Sequence, residues 1–236
     1  EEVDLLKNSE KRVGAVYSRL EKTFLDGRRV FIPADTALIK EGNLSDVFLR
    51  GDFFITLQAL LIKRECFEKI GIFDENLSLL GDMEFLIRLS RVYDFLYNNR
   101  VRVISEISPD SHSRNSAERL KSRDYIFQKH IEEFRKRPAV FAKNAYIIGN
   151  AYALEGNMKK ARKYLLIAWT RSFFTPRYFS TFLFSLTGSP KLYRKAAALY
   201  MKLKPLSFKE KKREEITAVS ADDSAKYRSP KAPERN

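Results

Sequence analysis

The sequence has few of the residues that build disulfides, metal centres and nucleophilic triads. Its 236 residues include one cysteine, Cys66, and two histidines, His112 and His130. A single cysteine excludes an internal disulfide, and the two histidines do not share a zinc-ligand spacing. Metal and triad chemistry are therefore poorly supported, and we expect surface or packing roles for both histidines.

Glycine-rich loops and long apolar runs are also missing. The nine glycines are scattered, and they form neither a G-x-G-x-x-G motif nor a phosphate-binding P-loop. No apolar run approaches the ~18–20 residues of a membrane span, and the acidic start over residues 1–4 is not typical of a signal peptide. We expect a cytoplasmic protein, with peripheral contact to the inner face of the cell membrane as an open alternative.

The chain does contain enough apolar residues for a substantial core. It is 44% hydrophobic and 31% charged, which is typical of globular proteins. The length allows one large domain or two small ones, and the apolar neighbours of Cys66 predict a buried thiol. Forty-four Lys and Arg against 30 Asp and Glu give a formal net charge of +14, which favours phosphates, nucleic acid or anionic lipids as partners.

The first part of the chain mixes the periodicities of strands and helices. Asp26-Gly27 lies between two β-rich runs and predicts a hairpin or a strand–loop–strand unit. Gly71 is expected to end a short helix in a left-handed C-cap. The predicted elements are strands at 13–18 and 29–33, a helix at 44–49, a buried strand at 59–62, a helix at 64–70, and strands at 95–97 and 101–104 around an Asn98-Asn99 turn.

Asp82 is expected to precede an amphipathic helix. Its apolar residues recur with the helical period and form one stripe: Phe85, Leu86, Leu89, Val92 and Tyr93. Glu84 and Arg88 lie four residues apart on the polar face. On an exposed face such a pair contributes only ~0.2–0.5 kcal/mol and needs no function.

From residue 116 onward the pattern becomes helical. A charged helix over 117–137 is expected to stop at Pro138, and further helices are predicted at about 140–155, 158–172, 177–186 and 190–203. Gly149, Tyr152, Ala161 and Ala168 follow the spacing of a tetratricopeptide helix hairpin, in which small residues let two antiparallel helices approach closely. The predicted organisation is α/β over 1–115, all-α helical hairpins over 116–204, and a basic tail over 205–236, with a short helix before a disordered end.

The most informative stretch runs from Phe54 to Ser113. In order, it carries Leu61-Ile62-Lys63-Arg64, Gly71-Ile72-Phe73-Asp74-Glu75, and Gly81-Asp82 at the start of a helix with Arg88-Leu89. This order resembles the C-terminal, acceptor-side part of family 2 glycosyltransferases with the GT-A fold. The resemblance covers residues 12–115 and implies a partial GT-A fold.

The resemblance implies an inverting displacement at the anomeric carbon of a nucleotide-sugar. It places Asp82 on the catalytic base, which takes a proton from the acceptor hydroxyl. On the residues alone, Asp82 could equally cap the helix, which is worth ~1 kcal/mol, and Asp74 and Glu75 could equally fix the turn after Gly71. The acceptor- or donor-binding candidates that the resemblance implies are Thr56, Gln58, Asp74, Glu75, Glu84 and Arg88.

The chain departs from the family pattern in three places. Gly81 stands where the family commonly has Glu, and Ser108 matches the position of a metal-binding His found in many members, so a metal role for His112 is not expected. No Asp-x-Asp occurs, although in the family this motif binds Mn²⁺ or Mg²⁺ across the sugar diphosphate. We therefore expect the chain to be the acceptor-side portion of a metal-dependent enzyme, nearly inactive without a donor-binding half.

The implied partners are a nucleotide-sugar donor and a glycan or lipid-linked acceptor. Aromatic and basic residues over 171–179 could contact an anionic membrane, but packing of these aromatics in a helical core is preferred. The alternative class is a non-enzymatic binding module that uses the helices for a protein or the basic surface for nucleic acid. Nucleic acid is disfavoured because basic and acidic residues are interleaved, as over 132–137.

Overall fold

The computed structural model describes residues 1–24, 26–34, 40–51, 55–106 and 115–203. These residues form a four-stranded sheet and ten α-helices, in agreement with a mixed α/β part followed by a helical part. Ser108, His112 and the predicted tail over 205–236 lie outside the described residues. The elements are α1 (Glu2–Lys7), β1 (Val13–Thr23), β2 (Arg29–Ile32), α2 (Ser45–Arg50), β3 (Leu60–Ile62), α3 (Arg64–Ile70), α4 (Gly81–Val92), β4 (Asp94–Glu106), α5 (Ser116–Lys129), α6 (Ile131–Arg135), α7 (Pro138–Glu155), α8 (Met158–Arg171), α9 (Pro176–Leu186) and α10 (Pro190–Leu203).

The sheet is built around β1. Strand β4 runs parallel along one edge of β1, while β2 and β3 run antiparallel along different parts of its other edge, with Leu20 opposite Ile32 and Ala15 opposite Ile62. The predicted hairpin between β1 and β2 is therefore confirmed, with Gly27 at a φ of 79° in the turn. Because both edges of β1 are paired, eight successive residues from the start of the strand are buried.

Details around α3 differ from the prediction in two respects. Strand β3 is not buried, because it is a three-residue strand with one open edge in the described structure, and its Leu61 is 37% exposed. Gly71 does end α3 with a positive φ of 80°, but its ψ of 176° is extended rather than left-handed helical. The predicted burial of Cys66 is confirmed, with its Sγ 3.4 Å from the carbonyl oxygen of Gly14.

The expected turn at Asn98-Asn99 is instead an irregularity inside one continuous strand. Along the β1–β4 ladder, Ser18 lies opposite Asn98 and Arg19 lies opposite Val101, so β4 contains two additional residues at this point. The side-chain oxygen of Asn98 accepts a hydrogen bond from the Arg100 N–H at 3.1 Å. Asn98 thus forms a local side-chain turn. Because β4 pairs with β1 on both sides of this turn, the turn is a β-bulge within the strand.

The charged helix predicted over 117–137 is divided at His130. This residue has a φ of −108° and a ψ of 24°, and its carbonyl oxygen accepts from the N–H groups of Glu133 and Phe134 at the start of α6. Pro138 is the first residue of α7, a position where proline's missing N–H is tolerated. The other predicted helices agree with α7 to α10 within about two residues at each end.

Helices α7 and α8 form a closely packed hairpin. A Cβ atom at Gly149 would lie 2.9 Å from Leu165 Cγ and 3.0 Å from the Leu165 backbone nitrogen. Gly156 ends α7 in the left-handed conformation, and the Asn157 side chain accepts from the Lys160 N–H at the start of α8. The close approach predicted from the small residues is therefore confirmed.

One apolar core extends through both parts of the chain. Its fully buried aromatic residues include Tyr17 and Phe85 from the α/β part and Phe127 and Phe134 from the helical part. Helix α7 also contacts the end of α2, where the Asn144 side chain donates to the Leu49 carbonyl oxygen at 3.1 Å. The helical part therefore covers one side of the α/β part, while the domain boundary at 115 stays a prediction.

The aromatic residues over 171–179 do not all pack in the helical core. Phe174 is fully exposed, and Phe173 and Phe179 are 60% and 44% exposed, although both contact the Trp169 ring on one side. Tyr178 does pack, stacking on a buried tyrosine of α7 at 4.9 Å. The predicted packing in the helical core is thus wrong for Phe174, and Phe173 and Phe179 are only partly packed.

Among the described helices, none is both long and apolar enough to cross a membrane.

Candidate functional site

The predicted base, Asp82, lies in the first turn of α4 behind a strained residue. Leu80 is the N-cap and has a φ of 61°, which no other non-glycine residue shares in the described chain. A left-handed side-chain-bearing residue costs roughly 1–2 kcal/mol, and such strain is concentrated at functional sites. Asp82 is half-buried, and its Oδ1 accepts from the Met83 N–H at 2.8 Å. Asp82 therefore does not occupy the N-cap, while its role as base stays a prediction.

Glu84 lies in the interior rather than on an exposed helix face. Its side chain is fully buried against α5. Glu84 Oε1 accepts from Arg88 Nε at 2.9 Å and from Lys129 Nζ at 2.8 Å, and His130 Nε2 lies 3.1 Å away. The exposed-face interpretation of the Glu84–Arg88 pair was wrong because Lys129, at the end of α5, and His130 contact the Glu84 carboxylate.

The hydrogen bonds around His130 define its tautomer. Arg91 Nη2 lies 2.7 Å from His130 Nδ1, and a guanidinium can only donate, so Nδ1 is the acceptor. The ring hydrogen is then on Nε2, from which it is donated to Glu84. His130 thus connects Arg91 to Glu84 through its two ring nitrogens.

The electrostatics of Glu84 follow from these donors. Burial alone raises the pKa of this carboxyl, but hydrogen bonds from His130, Arg88 and Lys129 outweigh burial and hold the pKa at about 2. The carboxylate is therefore ionised and neutralised by adjacent cations. Both of its oxygens already accept hydrogen bonds.

Arg88 and Asp74 hold the segment between α3 and α4. Arg88 Nη1 donates to the Ile70 carbonyl oxygen at 2.5 Å, and Nη2 donates to the Ile72 carbonyl oxygen at 2.7 Å. Asp74 Oδ2 accepts from Lys129 Nζ at 2.6 Å, and its Oδ1 accepts from a backbone N–H of its own turn. Lys129 and that N–H hold the pKa of Asp74 well below its usual range. These contacts favour the turn-fixing interpretation of Asp74.

The remaining candidates lie near the 3₁₀ turn at Leu57–Ala59 and in the loop after α3. Thr56 is half-buried and precedes that turn, and in the described structure no hydrogen-bond partner reaches its Oγ1. Gln58 and Glu75 are exposed. An unpaired buried hydroxyl is the feature expected of a group that binds a ligand, so Thr56 is the better supported of these three.

The metal implied by the family resemblance does not fit the carboxylates described here. Within the described ranges, no three His, Cys, Asp or Glu side chains are grouped as metal ligands. The buried carboxylates Asp74 and Glu84 are already bonded to Lys129, which a divalent ion would have to displace. No step is therefore assigned to a metal.

The Glu84 cluster, which comprises Glu84, Arg88, Arg91, Lys129 and His130, was only partly found from the sequence. Lys129 and His130 carry no motif, and His130 lies 46 positions from Glu84. The one available signal was a Lys-His pair inside the charged helix predicted over 117–137, and such a pair is common on protein surfaces.

Comparison of this chain with protein-family models, curated proteins and solved structures finds no match. The resemblance to family 2 glycosyltransferases therefore rests on the order of the motifs in residues 12–115.

Proposed function

We propose that this chain is the acceptor-side part of an inverting glycosyltransferase of the GT-A type, with Asp82 as the catalytic base. The proposal rests on the motif order of residues 12–115 and on one structural observation: the left-handed Leu80 two residues before Asp82. Residues held in such sparsely populated backbone conformations are concentrated at active sites and switch regions.

The proposed chemistry is a single displacement. The acceptor hydroxyl oxygen attacks the anomeric carbon as its proton passes to the Asp82 carboxylate, and the bond from that carbon to the nucleoside diphosphate breaks. One Asp82 oxygen accepts from the Met83 N–H, and in this proposal the other oxygen takes the proton of the acceptor hydroxyl.

The Glu84 cluster has a supporting role in this proposal. Glu84 lies two residues after Asp82 and is bonded to Lys129 and His130 of the helical part. These contacts hold the first turn of α4 in one position. A base displaced by about 1 Å loses much of its rate advantage, so the cluster is expected to position Asp82 without contacting substrate.

The test compares two first-turn aspartates. The chain is co-expressed with a donor-binding half that carries Asp-x-Asp, and nucleoside diphosphate release is measured with a panel of nucleotide-sugars. Asp82→Asn retains an oxygen for the Met83 N–H but removes the base, and should lower turnover by about 10²–10⁴-fold. Asp46→Asn, at the same position of α2, should leave turnover within about twofold. Near-normal turnover of Asp82→Asn would contradict the proposal.

A second observation favours an anionic surface as a partner of the helical part. Residues 156–209 contain twelve Lys or Arg and no Asp or Glu, so the interleaving of charges seen over 132–137 does not extend to this segment. Together with the exposed Phe173 and Phe174, this composition suits the headgroup region of an anionic bilayer. Flotation with phosphatidylglycerol vesicles tests this: we expect co-flotation at low salt and loss in Phe173→Ser/Phe174→Ser. If that variant floats as well as the wild type, the basic residues alone account for vesicle binding.

A further inference from the structure

A surface cavity lies between α7, α9 and α10, away from the Glu84 cluster. Its volume is about 420 Å³, within the range of roughly 300–1,000 Å³ that small-molecule sites occupy. Tyr146, Leu154, Phe184 and Tyr193 provide most of its apolar wall, with Ala197 on the α10 side. Leu154 and Phe184 are 41% and 48% exposed, so apolar surface in the cavity faces water.

The wall is held in shape by hydrogen bonds between helices. The Tyr193 hydroxyl donates to the Asn150 side-chain oxygen at 2.9 Å, joining α10 to α7. Arg177 Nε donates to the Tyr146 hydroxyl at 2.7 Å, joining α9 to α7. A preformed cavity reduces the entropy lost when a ligand binds.

The polar edge of the cavity is cationic. Arg194 donates from Nε and Nη2 to the Leu154 carbonyl oxygen at 2.9 and 2.7 Å. These bonds orient the guanidinium and leave other N–H groups for an anion. In the described chain Arg194 has no carboxylate within ion-pair distance, and none of the described lining residues is acidic.

The chemistry of the ligand follows from this combination. An apolar wall favours a hydrocarbon body, and an oriented guanidinium with no carboxylate partner favours a phosphate or carboxylate head. A nucleotide would lack the hydrocarbon body, and a neutral lipid would lack the charge. We propose that the cavity binds a single-chain anionic amphiphile, with its chain against Leu154 and Phe184 and its head on Arg194.

The first experiment uses the whole chain and dodecyl phosphate below its micelle concentration, followed by isothermal titration calorimetry. We expect one molecule per chain, bound at least about tenfold more tightly than the uncharged dodecyl maltoside. Inorganic phosphate alone should bind much more weakly than dodecyl phosphate. Two results would overturn the proposal without any variant. One is equal affinity for dodecyl phosphate and dodecyl maltoside, and the other is equal affinity for dodecyl phosphate and inorganic phosphate.

Variants then locate the site. Arg194→Gln should weaken dodecyl phosphate binding by about tenfold, whereas Arg162→Gln, the same charge change on the exposed side of α8, should change it by less than about twofold. Ala197→Phe fills the cavity and should abolish binding, with circular dichroism confirming unchanged helicity. Equal effects of the two arginine variants, or wild-type affinity in Ala197→Phe, would refute the site.

The source of the amphiphile is distinguished by vesicle flotation of the same variants. If Ala197→Phe loses both dodecyl phosphate binding and flotation with phosphatidylglycerol vesicles, the cavity takes a membrane lipid. If it loses only dodecyl phosphate binding, the cavity takes a free amphiphile. Both results support the cavity, and they do not depend on the transferase activity proposed for Asp82.

Discussion

Glu84→Gln is expected to destabilise the whole chain, because it removes the buried carboxylate that accepts hydrogen bonds from Arg88, Lys129 and His130. Ionisation links the size of this effect to the pKa of Glu84, which falls from 4.5 to about 2 on folding. At ~1.4 kcal/mol per pKa unit, this shift corresponds to roughly 3 kcal/mol. Loss of one partner from a buried ion pair costs a similar ~3–5 kcal/mol. We therefore expect a loss of at least about 3 kcal/mol at neutral pH.

The measurement is urea denaturation followed by circular dichroism at 222 nm, on the wild type, Glu84→Gln and a control. Glu132→Gln provides the control because Glu132 also pairs with a cation, Arg135, but is 69% exposed. Exposed pairs contribute about 0–1 kcal/mol. If the two variants lose equal stability, the Glu84 cluster contributes no more than a surface pair and the reasoning is refuted.

The pH dependence gives a second check on the same residue. The folded-state pKa of Glu84 is depressed, so its contribution is complete above the unfolded value of 4.5 and is lost as pH falls through about 2. The stability difference between wild type and Glu84→Gln should therefore be constant near neutral pH and shrink below about pH 4.5. A difference that persists unchanged at pH 2 would show that ionisation is not its cause.

Two further predictions concern packing and reactivity. Gly149→Ala should lower the free energy of unfolding, measured by urea denaturation, by about 1–3 kcal/mol, because its Cβ would lie 2.9 Å from Leu165 Cγ. The control is Gly81→Ala, which has no atom within 4 Å of the added carbon and should be neutral or stabilising by up to about 1 kcal/mol. Equal losses of stability in the two variants would contradict the close packing of α7 on α8. Burial raises the pKa of Cys66 from 9.0 to about 11, so its reaction with a disulfide reagent at pH 8 should be at least about a hundredfold slower in the native protein than in urea. Equal rates in both states would show an accessible thiol.

Elements that depend on nearby residues were predictable from the sequence. The apolar stripe of α4 and the Asp26-Gly27 turn each lie within one short segment, and both elements form as expected. Where a distant segment decides the outcome, the local pattern was misleading. Asn98 favours a turn locally, yet pairing of β4 with β1 keeps it in a strand.

The candidate site also depends on residues that are distant in the sequence. The position of Asp82 in the first turn of a helix was predictable, because Gly81 and the apolar stripe define that turn. The burial of Glu84 was not predictable, because the side chains that contact it, Lys129 and His130, come from a later part of the chain. The left-handed Leu80 also has no sequence signal, since leucine rarely adopts this conformation.

The late position of Lys129 and His130 in the chain has a consequence for synthesis on the ribosome. His130 is made 46 residues after Glu84, which at ~5–20 residues per second is a delay of about 2–9 seconds. During that interval the carboxylate has Arg88 but neither Lys129 nor His130, so burying it would be unfavourable. We therefore expect this face of the nascent α4 to stay hydrated until Lys129 and His130 emerge, so that the α/β part completes its folding only with the helical part.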